Sequence, residues 1–189
     1  MDVQDVEKFY PKSIAEWHDW LRLNHSLRSA VWLVFYSRAS GKPSVSWSEA
    51  VDVALCFGWI DSKKVKLDHE SSLQYFSPRK AKSTWSRINK EKIDRLTKAG
   101  LMSQAGLAAV ETARGNGSWT VLDEVEALIV PKDLEARFQT NPGMDDFFKR
   151  LSRSERKAIL HRIALSKLPA TREKRITEIV SALALKQGR

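Results

Sequence analysis

The chain has 189 residues, 42% of them hydrophobic, with seven tryptophans. It can bury roughly 70% of the surface its unfolded form exposes and is too apolar for a disordered segment. Its formal net charge is +9, and its single cysteine, Cys56, excludes an internal disulfide. No run of about 18 apolar residues offers a helical membrane span, and the opening MDVQDVEKFYPKSIAEW lacks the apolar core of a secretory leader, so a cytoplasmic protein is expected.

In chain order, Ser13 and Glu16 form an S-x-x-E capping box that opens a helix of about twelve residues, with Trp17, Trp20 and Leu21 on one face. The apolar, β-branched and aromatic run Ala30 to Tyr36 reads as a buried strand. After a loop at Ser40-Gly41-Lys42-Pro43, Ser46 and Glu49 cap a second helix from Trp47 to about Phe57, and Gly58 suits its left-handed end. Cys56 reads as a small buried hydrophobe. Trp59 to Leu67 and Ser72 to Phe76, joined by a turn at residues 68–71, read as a hairpin that Pro78 ends.

Helices follow. Ser83 is the expected N-cap for a helix from Thr84 to Ala99, stopped by Gly100, and Ser103 caps Gln104 to Arg114. Residues 118–131 read as irregular, after a Gly115-Asn116-Gly117 break. Short helices are expected at 133–139 and 143–150, the second with Asn141 as cap and Pro142 in its first turn. Ser152 and Glu155 box a helix over 153–167, and Pro169 separates it from a last helix over 172–186. The fold class is α+β: a small antiparallel sheet of about three strands with flanking helices, followed by a mostly helical C-terminal half. Residues 1–115 and 132–189 are expected to pack together as one compact unit.

The charge is uneven. Residues 77–98 carry a net +6 and residues 149–175 a net +8, on either side of a segment of net −5. Folded together, the two basic segments make a face suited to phosphates; with the acidic segment packed between them, that field is neutralised internally. Solvated helix faces are the plainer reading.

The densest mixture of basic and aromatic residues runs through positions 76–92, where Arg79, Lys80, Lys82, Arg87, Lys90 and Lys92 sit around Trp85. A helix beginning near Ser83 or Ser86 presents free N–H groups that attract anions. Arg79 and Lys82 are placed to clamp a phosphate or carboxylate, and Trp59 or Trp85 to stack on a ring or base. Asp61, at a helix-to-strand corner, can pair with Arg79 or Lys82, or serve as a general base. The bland alternative is a capped helix whose Trp packs on the sheet while its charges face water. The ligand-binding candidates are therefore Trp59, Asp61, Arg79, Lys82, Ser83, Trp85, Ser86, Arg87 and Asn89. His18, His25, His69 and His161 show no metal-ligand spacing, there is no phosphate-cradling or nucleophile-elbow motif, and no catalytic residue, metal or cofactor is assigned. The basic helices joined at Leu168-Pro169-Ala170 have the wrong joint for reading a DNA groove.

Three motifs carry a family resemblance: Val31-Trp32-Leu33-Val34, Ala54-Leu55-Cys56-Phe57-Gly58-Trp59-Ile60-Asp61, and Phe76-Ser77-Pro78-Arg79-Lys80 continuing through Lys82-Ser83-Thr84-Trp85-Ser86-Arg87-Ile88-Asn89. Leu151-Ser152, Ile163 to Lys167, Thr171-Arg172 and Arg175-Ile176 add to them. Through these the chain resembles the bacteriocin-protection, or YdeI/OmpD-associated, proteins over nearly its whole length. The resemblance implies a link to antimicrobial-peptide resistance and to an outer-membrane porin; it brings no catalytic residue. Some members are described as periplasmic, a location for which this sequence shows no export signal. The expectation is a non-enzymatic, stress-related protein that binds an anionic ligand or partner through a basic-aromatic surface. Candidate partners are an anionic small molecule, a nucleic acid or a protein. The alternative is a small-molecule-binding enzyme with a pocket between sheet and helices.

Overall fold

The computed structural model describes residues 6–187. Residues 1–5 and 188–189, which the expected N- and C-terminal regions take in, lie outside the described residues. The chain divides into two compact units, 1–118 and 119–189. Among the described residues, no helix is long and apolar enough to cross a membrane.

Among the described residues, the first unit is built on four strands: β1 (Lys8–Phe9), β2 (Val31–Tyr36), β3 (Trp59–Lys66) and β4 (Ser71–Pro78), in the order β1-β2-β4-β3. β4 pairs antiparallel with both β2 and β3, while β1 joins β2 in parallel. The sheet is thus mixed and four-stranded, where about three antiparallel strands were expected. The addition is a two-residue strand, too short to show alternation, and the Trp32 amide extends its pairing by donating to the Glu7 carbonyl.

Local chemistry sets the helices of this unit. In α1 (Ile14–Asn24) the Ser13 hydroxyl accepts from the Glu16 amide, but the Glu16 carboxylate reaches the amide of Lys12, so the expected box closes one residue early. In α2 (Trp47–Cys56) the Ser46–Glu49 box is complete. The Trp17 indole of α1 donates to the Ala50 carbonyl of α2 and lies 5.5 Å from the Phe76 ring of β4. Trp17, Leu21, Val31, Leu33, Ala50, Ala54 and Phe76 are fully buried there, and such burial drives the packing.

The helix after the sheet, α3 (Arg87–Lys98), begins three residues later than expected, with Ser86 rather than Ser83 as its cap. Trp85 is 2% exposed, and its burial holds the preceding segment out of helical register. Ser103 caps α4 (Gln104–Gly115). That helix passes so close to the end of α2 that a Cβ on Gly106 would sit 2.2 Å from the Cys56 carbonyl oxygen.

Among the described residues, the second unit is all helical: α5 (Asp123–Glu126), α6 (Lys132–Gln139), α7 (Met144–Arg150), α8 (Arg153–Ala164) and α9 (Pro169–Gln187). Leu134, Phe138, Met144, Phe148, Leu160, Ile163, Ile176, Ile179 and Leu183 form its core. The stretch read as irregular contains the single turn α5. Gly143, left-handed at φ 76°, caps α7, whereas Asn141 instead donates to the Arg137 carbonyl at the end of α6. Pro169 opens α9 instead of preceding it, at a first-turn position where its missing N–H costs nothing.

Candidate functional site

α1 and α2 cover only part of the sheet. On their side the register aligns Leu33, Gln74 and Lys64 in one row and Phe35, Ser72 and Lys66 in the next. Val31 and Phe76, at the covered end, are buried in the core. Beyond them an open groove of about 630 Å³ remains, a size that suits a small molecule. Phe35, Ser72 and Gln74 line it along the sheet, Lys64 and Lys66 along β3, and Ser46 and Trp47 from the start of α2.

Trp47 stands 53% exposed at this groove. Its indole N–H donates to Asp61 Oδ2 at 2.8 Å, and the Gln74 amide donates to the same oxygen at 2.9 Å. One carboxylate oxygen therefore ties the start of α2 to two adjacent strands. The two acids in the groove are engaged elsewhere. Glu70 accepts from Lys42 at 3.3 Å, and Lys42 also lies 4.4 Å from the centre of the Tyr36 ring. Hydrogen bonding to Glu70 holds the Lys42 amine above its ordinary pKa. Asp68 accepts the amides of Glu70 and Ser71 at 2.8 and 2.7 Å, which holds its carboxyl below the usual range. Among the described residues, the Lys64 and Lys66 amines have no such partner. The Ser46–Glu49 box sets an acid against the start of α2, so the amines, and not the helix end, supply the positive charge.

The residues singled out from the sequence assemble differently. Trp59 is 1% exposed and donates its indole N–H to the His25 carbonyl at 3.1 Å. Trp85 is buried under Arg79, whose guanidinium carbon lies 3.7 Å from the ring centre. Neither indole offers a face to stack on a ligand. Arg79 Nη2 donates to the Thr84 carbonyl at 2.7 Å, while Nε and Nη1 are buried with no hydrogen-bond partner among the described residues. Burial lowers the Arg79 pKa to about 10, against the pull of the Asp61 charge. Arg79 and Trp85 thus form one packed brace in which the arginine is no surface clamp, while Asp61 is bonded to Trp47 and Gln74. Lys82 is exposed and outside that brace, and Ser83 is not at a helix end. The Ser86 hydroxyl accepts the Asn89 amide, and Arg87 pairs with Glu91.

Other basic residues are paired in place. Asp52 takes Lys92 and Arg95, each at 2.6 Å. In the second unit, Arg172 grips Asp133 with two nitrogens, Lys157 pairs with Glu126, Arg137 with Glu173 and Arg162 with Glu178. Much of the +8 segment is compensated by acids of the same unit. Cys56 is 4% exposed, and burial pushes its thiol up to about 11, away from nucleophilic use.

Sequence reasoning passed over Trp47, Lys64, Lys66, Ser72 and Gln74. The available signal was the spacing of the two lysines, which puts both on one face of a strand.

Residues 9–109 match the family model described as Domain of unknown function (DUF8412), and residues 127–186 match the one described as Bacteriocin-protection, YdeI or OmpD-Associated. The motifs at 31–34, 54–61 and 76–89 fall within the first match, and those from Leu151 to Ile176 within the second. No curated protein and no solved structure matches the chain.

Proposed function

We propose that this chain, which belongs to the DUF8412 family through its first unit and to the Bacteriocin-protection, YdeI or OmpD-Associated family through its second, acts by binding rather than by catalysis. Its first unit takes a small anionic ligand in the sheet groove. One observation carries this reading: two lysines without an acidic partner among the described residues stand on the same face of β3, beside an exposed tryptophan, along an open groove of about 630 Å³. A cation that is already paired contributes little to capturing a ligand, and the pairing of Lys92, Arg95, Arg172 and Lys157 leaves a broad polyanion surface with little support. Lys64 and Lys66 carry no such commitment.

A thermal-shift screen of small phosphates and carboxylates tests this, run on the whole chain and on a Lys64→Gln/Lys66→Gln double variant. A true ligand at about 100 times its dissociation constant stabilises by roughly 2.7 kcal/mol. The double variant should melt like the parent without ligand and lose most of the shift. An unchanged shift in the variant, or no response to any anion, overturns the reading.

A further inference from the structure

The groove's layout narrows the class of ligand, on the premise that the groove is a binding site. Phe35, Ser72 and Lys66 occupy one row across β2, β4 and β3. Two strand spacings, about 9.6 Å, separate the backbone carrying the ring from the backbone carrying the amine. Lys64 and Lys66, two positions apart on β3, stand about 7 Å apart along the strand. The groove therefore has an aromatic side at Phe35 and a doubly cationic side, with the Ser72 hydroxyl between them.

Two further features select the anion. None of the described residues lining the groove is an arginine, so the anion is held by lysine ammonium groups, which bind phosphate as point charges. Two amines without carboxylate partners among the described residues also match a dianion better than a single negative charge. Trp47, tied to Asp61, adds a second aromatic surface beside the amines.

We propose that the groove binds a planar aromatic ring joined to a phosphate monoester. The ring lies toward Phe35, and the phosphate is held by Lys64 and Lys66 with a hydrogen bond from Ser72.

Calorimetric titration of the full chain with phenyl phosphate, adenosine monophosphate, adenosine, inorganic phosphate and succinate tests the assignment. Phenyl phosphate or adenosine monophosphate should bind at least about tenfold tighter than adenosine or inorganic phosphate, the loss expected when one charge-assisted contact or one ring contact is removed. Lys64→Gln/Lys66→Gln should weaken the ring phosphates while leaving adenosine unchanged, and Phe35→Leu should weaken them while leaving inorganic phosphate unchanged. Equal affinity for adenosine and its monophosphate overturns the phosphate assignment. Equal affinity for inorganic phosphate overturns the ring. Succinate binding that depends on the two lysines, with no binding of either ring phosphate, overturns this inference and leaves the anion groove standing. No lysine-dependent binding of any probe overturns both.

Discussion

The amide and the hydroxyl of Ser103 both donate to the carbonyl of Cys56, at 3.0 and 2.7 Å. The residue that caps α4 thereby also satisfies the last residue of α2, and the two helix ends are held in contact. The contact leaves no room at Gly106, whose Cβ would meet the Cys56 carbonyl oxygen at 2.2 Å and its carbon at 2.8 Å. Both obstructions are backbone, so neither can rotate away. Gly106→Ala should cost about 1–3 kcal/mol as overpacking does, read as a lower urea midpoint with an unchanged slope. Gly115, in the same helix, has nothing within 4 Å of its would-be Cβ. Gly115→Ala should be neutral or stabilising by up to about 1 kcal/mol.

Arg79 and Lys82 belong to one basic run and should behave oppositely. The Arg79 guanidinium is stacked on Trp85 and bonded to the Thr84 carbonyl, so Arg79→Ala removes packing as well as charge. A loss of about 1–3 kcal/mol is expected, of the size seen for lost buried contacts and bonds. Lys82→Ala, at an exposed position, should stay within about 0.5 kcal/mol of the parent. Equal, small effects in thermal melts would remove Arg79 from the brace.

Two tryptophans separate stability from binding in the same way. Trp59→Phe abandons the His25 carbonyl and leaves a gap in a site that is 1% exposed; it should cost about 1–3 kcal/mol. Trp47→Ala, at a position 53% exposed, should change the melting midpoint little and weaken ligand binding. A ligand response that survives Trp47→Ala undiminished would mean that Trp47 does not touch the bound ligand.

Acid sensitivity of the second unit should depend on Asp133. Hydrogen bonds from Arg172 hold the Asp133 carboxyl below its ordinary value of 3.8. A depressed folded-state pKa means that the unfolded chain takes up the proton first on acidification. The contribution is complete above 3.8 and is lost as the pH falls through the lowered value. Asp133→Asn should be less stable than the parent at pH 7, with the gap closing from about pH 5 downward. Urea midpoints at several pH values measure this; a constant gap would mean that the pair is not the source. Arg172→Lys should retain part of the contribution, since it keeps the charge and loses the two-nitrogen grip.

What could be read from the sequence was mostly what neighbouring residues decide. Ser46 with Glu49 and Ser152 with Glu155 both form the expected reciprocal bonds, because each box closes within three residues. Ser83 and Ser86 show where such reading stops. Either serine suits an N-cap, and the choice falls to Ser86 because Trp85 is buried beneath Arg79, a contact that no local propensity records. Lys8–Phe9 escaped notice because its strand character comes from its partner Val31–Tyr36. Trp59 and Trp85 suggested stacking surfaces by composition, yet burial assigns both to the interior and leaves Trp47 at the surface. The groove exists because α1 and α2 stop short of one end of the sheet, and that depends on helix length and register together.

β3 is the outer strand of its sheet, carries a register shift between Asp61 and Lys64, and presents Lys63, Lys64 and Lys66 in succession. An outer strand offers unpaired backbone groups to any passing chain, and a bulge with lysines is a common guard against that encounter. The side chains proposed to hold the ligand thus also oppose aggregation. Drift at these positions toward valine or isoleucine would then erase binding and at the same step turn the strand into a template for self-assembly, so the two amines would be retained under crowding even where no ligand is present.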